Sequence, residues 1–106
     1  MNQHISNYEK QLSVLCNTIK LLAHQQDFAE CEKLIAEAMS MYPHAPQPHN
    51  LMGVLFEMKD EHAAAIKHFR AAWSLDPTYL PARHNLDNFA SFYSVDRYAF
   101  DENDLL

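Results

Sequence analysis

Slid against itself by 34 residues, the chain superimposes Leu22 on Phe56, Asp27 on Glu61, Cys31 on Ala65, Ile35 on Phe69, Ala38 on Ala72 and Pro43 on Pro77. Small residues fall on small ones, large apolar on large apolar, and proline on proline. A recurrence of this length marks a stacked supersecondary unit, because one such unit cannot bury its apolar face alone. The fold must therefore be built by adding neighbours.

Inside each unit the apolar spacing is helical. Ile5, Tyr8, Leu12, Leu15, Ile19 and Leu22 recur at three- and four-residue steps, and Ser6 with Glu9 has capping-box spacing, which starts a first helix near Asn7. Asp27 with Glu30 opens a second through Phe28, Cys31, Leu34, Ile35, Ala38, Met39 and Met41. Pro43, Pro46 and Pro48 end it, and Pro48 fits the first turn of the next. Leu51, Met52, Leu55 and Phe56 mark the third helix; Ala65, Ile66, Phe69, Ala72 and Trp73 mark the fourth, which stops at Asp76-Pro77. Pro81 begins a fifth, with Ala82, Leu86, Phe89, Ala90 and Tyr93 on one face. A single glycine in 106 residues leaves little for the tight turns of an all-β domain, and 48% hydrophobic residues is too many for a disordered chain. The expected class is all-α: about five helices in stacked antiparallel pairs.

The stretch His49-x-x-Met52-Gly53-x-x-Phe56, then Ala65-x-x-x-Phe69, then Pro77 resembles the tetratricopeptide repeat signature, with His49 in the tryptophan slot. Gly53 lies mid-helix, where glycine costs about 1 kcal/mol relative to alanine. That cost makes sense where a neighbouring helix crosses closely, with Ala65 as the expected facing residue. The resemblance implies a helical domain over 1–95, with repeats at about 12–45 and 46–79 and a terminal helix at about 80–95. An acidic, flexible tail over 96–106 completes the division.

Fourteen acidic against eight basic residues give a formal charge of −6. Such a surface is poor at neutralising phosphates and is repelled by anionic membranes, so neither nucleic acid nor membrane is an expected partner. No apolar run reaches bilayer-spanning length, and Met1-Asn2-Gln3-His4 does not open a secretory signal. A cytoplasmic protein is the expectation. Cys16 and Cys31 then read as free buried thiols, with a disulfide as the alternative.

Seven histidines show no zinc spacing: His44 and His49 flank the proline loop, and His62 and His68 face different directions. No metal and no cofactor are expected. Cys31 aligns with Ala65 as a packing residue, and no glycine-rich phosphate loop or paired carboxylates occur, so an enzyme is not expected.

In the family that the chain resembles, the first helix of each pair lines a concave groove. Carried over, this implies groove positions at Cys16, Asn17, Lys20 and His24, then Asn50, Leu51, Val54, Glu57 and Met58, then His84, Asn85 and Asn88. Asparagines there can hydrogen-bond an extended backbone, and Met58 offers an adaptable apolar contact. Pro81 and Asn85 stand where a family carboxylate clamp would need cations, so that clamp is not expected. The implied role is a protein- or peptide-binding module, a small adaptor or chaperone-like protein. The alternative is a structural protein that homo-oligomerises, as a homodimer for instance, through aromatic residues Phe92 and Phe100 at its C-terminal end. Asp101-x-x-x-Leu105-Leu106 matches an acidic dileucine pattern too cheap to carry meaning.

Overall fold

A computed structural model describes residues 7–89 and 98–106. Among them the chain is all-helical: α1 (Asn7–His24), α2 (Phe28–Met41), α3 (Pro46–Met58), α4 (His62–Leu75), α5 (Leu80–Phe89) and a 3-10 helix over Glu102–Leu105, with no strand. The Ser6 cap and the continuation of the fifth helix beyond Phe89 lie outside the described residues.

The sequence recurrence is written into the backbone. α2 begins and ends 34 residues before α4, at 28 and 41 against 62 and 75. The turns before them are alike: Gln26 and Asp60 adopt φ of 60° and 61°, and Asp27 N–H and Glu61 N–H reach back to the carbonyls of Leu22 and Phe56 at 2.9 and 2.8 Å. A left-handed residue after a helix turns the chain while satisfying the last carbonyls. The two units differ at the next residue. The Asp27 carboxylate accepts from Glu30 N–H at 3.4 Å, whereas the Glu61 side chain makes no capping bond. Pro46 and Pro48 both enter the first turn of α3, where a missing N–H leaves no bond unmade, so Pro46 is helical where the spacing alone placed only Pro48.

α1, α3 and α5 form one layer, with α3 touching both flanking helices. Behind them α2 packs on α1 and α3, and α4 on α3 and α5, while α2 and α4 do not meet. The core fills the space between the layers: Ile19, Cys31, Ile35, Leu51, Val54, Leu55, Ala65 and Phe69 are buried. Each large apolar side chain there contributes about 1.5–3 kcal/mol by leaving water. Tyr8 and Met41, assigned to apolar faces, remain exposed; Tyr8 instead meets Tyr42 edge-on at 5.1 Å.

At Gly53 a side chain of α4 presses directly on the α3 backbone. A methyl group built on this glycine would fall within 3.0 Å of three ring carbons of Phe69. The facing group is therefore the Phe69 ring and not Ala65: one helical turn further on, α4 fills the space the glycine leaves.

The C-terminal residues differ most from expectation. In place of a flexible tail, residues 98–106 return to the α1/α3/α5 layer, where Ala99 and Phe100 are buried in the core. The apolar content of Tyr98-Ala99-Phe100 outweighs the acidic character of residues 101–104. Phe100 is consequently not on offer as a self-association surface, and Phe92 and Tyr93 lie outside the described residues.

Candidate functional site: a backbone-reading face on α1, α3 and α5

Two buried asparagines define the site. Asn50 projects from α3 and Asn85 from α5, each fully buried, and they are joined by Asn85 Nδ2 donating to Asn50 Oδ1 at 2.9 Å. Both are aimed at one peptide unit. Asn85 Oδ1 accepts from Ala99 N–H at 3.0 Å, while Asn85 Nδ2 and Asn50 Nδ2 each donate to the Ala99 carbonyl at 2.9 Å. A single side-chain amide thus pairs with both backbone groups of one residue, as a neighbouring strand would. Buried amides need such partners, because each unsatisfied polar group costs roughly 1–3 kcal/mol. None of these bonds involves the Ala99 side chain.

The flanking aromatic residues are seated separately. Tyr98 stacks on Phe89 at 5.3 Å, and Phe89 stacks on Phe69 at 6.3 Å, which ties the segment to the main core. Phe100 lies against α1, 5.8 Å from the His24 ring, with the Lys20 ammonium 6.0 Å from its centroid. After Phe100 the chain turns sharply. Asp101 caps the 3-10 helix by accepting from Asn103 N–H at 2.9 Å, and Asp104 accepts from Phe100 N–H at 2.8 Å while pairing with Lys20. Burial works against the Asp104 charge, but Lys20 and the Phe100 N–H outweigh it and hold the carboxyl below its usual range.

Two clefts border the segment. One, of about 380 Å³, is lined by Lys20, His24, His84, Tyr98, Phe100 and Asp104 together with the last two leucines. The other, of about 600 Å³, lies between α1, the start of α3, the end of α4 and residues 101–103. Within the larger cleft the Tyr79 hydroxyl is buried beside the Cys16 thiol, and Gln47 Oε1 is buried with no hydrogen-bond partner among the described residues. Cys16 also faces it. Burial, reinforced by Asp101, pushes the Cys16 thiol up to about 12, so no nucleophilic thiolate forms there near neutrality. Both cysteines are free and buried, and burial likewise raises the Cys31 pKa.

The positions implied by the groove reading divide into groups. Asn50, Asn85, Lys20 and His24 converge on residues 98–104, and Cys16 and His84 line the adjoining clefts. Leu51 and Val54 point into the core and are fully buried, so they present nothing to a ligand. Glu57 and Met58 stand apart: Glu57 engages His62 at 3.0 Å, and Met58 packs on the core. Asn17 is exposed and Asn88 half-buried.

Sequence reasoning missed the occupant of this face. The available signal was Ala99 between two aromatics, followed by Asp101-x-x-Asp104, which is an unusual content for a solvated end. It also missed a stacked histidine pair, His49 and His68, whose rings lie 5.5 Å apart with Nδ1 atoms at 3.3 Å and Phe56 stacked alongside. Burial lowers both pKa values, and for His68 the neighbouring His49 lowers it further. Among the described residues, no three His, Cys, Asp or Glu side chains gather as metal ligands, and no helix is long and apolar enough to cross a membrane.

Comparison with protein-family models, characterised proteins and solved structures gave no match to this chain.

Proposed function

We infer that this protein is a peptide-binding adaptor whose α1/α3/α5 face holds an extended segment by its backbone. The observation that carries the reading is the engagement of both Ala99 backbone groups by Asn85, with Asn50 sharing the carbonyl. Backbone pairing supplies affinity independent of sequence, and flanking pockets for alternate side chains supply selectivity. The 34-residue recurrence in helices and turns supports a relationship to tetratricopeptide repeats, in which helix faces serve the same end. Free thiols at Cys16 and Cys31 suit the reducing cytoplasm proposed for it. No catalytic role forms part of this reading.

The test is fluorescence anisotropy with a labelled synthetic peptide carrying the sequence of residues 98–106. The receptor is the full chain with Phe100→Ser, which loosens the resident segment. Binding is expected to saturate, and adding Asn85→Ala should weaken it about 10-fold or more, since hydrogen bonds to buried groups are worth roughly 1–3 kcal/mol when one partner is removed. Equal affinity with and without Asn85 would sink the reading.

A further inference from the structure

Residues 98–106 sit on this face in a manner that separates what the site reads from what it tolerates. We propose that they are a resident copy of the ligand. On this proposal the face takes, from a partner protein, an extended segment with an aromatic residue, a small residue, phenylalanine and an acid, with a second carboxylate four positions after the phenylalanine. Such a segment enters only by displacing the protein's own. The proposal rests on the peptide-binding reading above.

Each element of the pattern is set by a contact. The small residue is required because Ala99 is 1% exposed between the two asparagines, so a longer side chain there displaces its neighbours. Phenylalanine is required because Phe100, 3% exposed, meets the His24 ring and the Lys20 cation, and aromatic faces attract cations. The preceding aromatic stacks on Phe89. The first acid closes the turn through Asn103 N–H, and the turn carries the second acid back to both Lys20 and the Phe100 N–H. A hydroxyl or amide in the Asp104 position would lose the charge that Lys20 neutralises, so the partner segment is acidic.

The resident copy also sets a threshold. Tyr98 follows Phe89 by only nine positions in the chain, so the segment is presented at an effective concentration on the order of 1 mM. With an intrinsic affinity of about 10–100 µM for the resident segment itself, any partner peptide is then weakened about 10- to 100-fold, because the open face is the minor state. Partners matching the whole pattern, or held nearby by a second contact, overcome this; chance aromatic segments do not.

The experiment titrates the labelled peptide of residues 98–106 against three full-length chains: wild type, Phe100→Ser and Asp104→Asn. Far-UV circular dichroism checks that each remains helical. The expected order of affinity is Phe100→Ser first, Asp104→Asn second and wild type about 10-fold or more behind the first. In the Phe100→Ser chain, peptides changed at the position of Ala99 to leucine, of Phe100 to serine or of Asp104 to asparagine should each bind at least about 10-fold more weakly. Saturable binding of equal strength to all three chains would overturn displacement while leaving the peptide-binding reading intact. Binding of the altered peptides as tightly as the parent would overturn the pattern. No binding to the Phe100→Ser chain at millimolar peptide would remove both this proposal and the reading beneath it.

Discussion

Replacing Gly53 by alanine sets two opposing effects against each other. Alanine is about 1 kcal/mol better than glycine inside a helix. Its methyl carbon, however, would lie 2.5 Å from Phe69 Cδ1 and 3.0 Å from Phe69 Cζ, against about 3.5–4.0 Å for a comfortable carbon contact. The ring must retreat by roughly 1 Å. Phe69 has no exposed surface and stacks on Phe89, so the retreat propagates into packed core, and overpacking of this kind costs about 1–3 kcal/mol. The loss wins or balances: Gly53→Ala should be destabilised by about 0–2 kcal/mol, and Gly53→Leu should lose cooperative unfolding altogether. Phe69→Leu removes the ring carbons in question, so in that background Gly53→Ala should reverse sign and stabilise by about 1 kcal/mol. Urea unfolding followed by the single tryptophan, Trp73, measures all four corners of the cycle. A gain of stability from Gly53→Ala in the wild-type background would refute the close approach of α3 and α4.

Titration and turn geometry give three more expected outcomes. His49 and His68 have depressed pKa values, so the stability linked to their neutral forms is fully present above their ordinary value of 6.5 and is lost as pH falls through the folded values; the melting temperature should decline from about pH 6.5 downward, and the decline should shrink in His49→Gln with His68→Gln. Asp104 is depressed in the same sense, so docking of residues 98–106 should persist above its ordinary 3.8 and weaken as pH falls further, read from the Phe100 amide in NMR spectra and abolished as a pH effect by Asp104→Asn. Gln26 and Asp60 occupy left-handed backbone, which glycine adopts without the clash of a Cβ; Gln26→Gly should gain about 0.5–1 kcal/mol, and Asp60→Gly less, because aspartate tolerates that conformation. Thermal melts that lose stability at both sites would contradict the paired turn geometry.

Helical spacing, the cap at Asp27 and the prolines made the five helices legible, because these signals act within one turn of the chain. The close approach at Gly53 was legible as well, but its partner was not. Ala65 and Phe69 lie one turn apart on the same face of α4, and only the crossing geometry decides which ring or methyl fills the gap. Asn50 and Asn85 were legible as polar groups able to hold a backbone. Leu51 and Val54 were carried to the same face, but Leu51 is rotated about 100° from Asn50 into the core, and Val54, one turn after Asn50, is fully buried as well. The occupant of the face was hidden by charge. Asp101, Glu102 and Asp104 made the end of the chain look solvated, yet one of those acids caps a turn and another pairs with Lys20, 84 residues earlier.

The most direct measurement is an NMR titration of the isotope-labelled full chain carrying Phe100→Ser with unlabelled peptide of residues 98–106, observed at the asparagine side-chain amides. Recognition of the peptide backbone by Asn50 and Asn85 predicts that their NH₂ resonances shift saturably and in parallel, while the exposed Asn17 pair stays still. Saturable binding that leaves the Asn50 and Asn85 amides unmoved, or no binding at all, would contradict it.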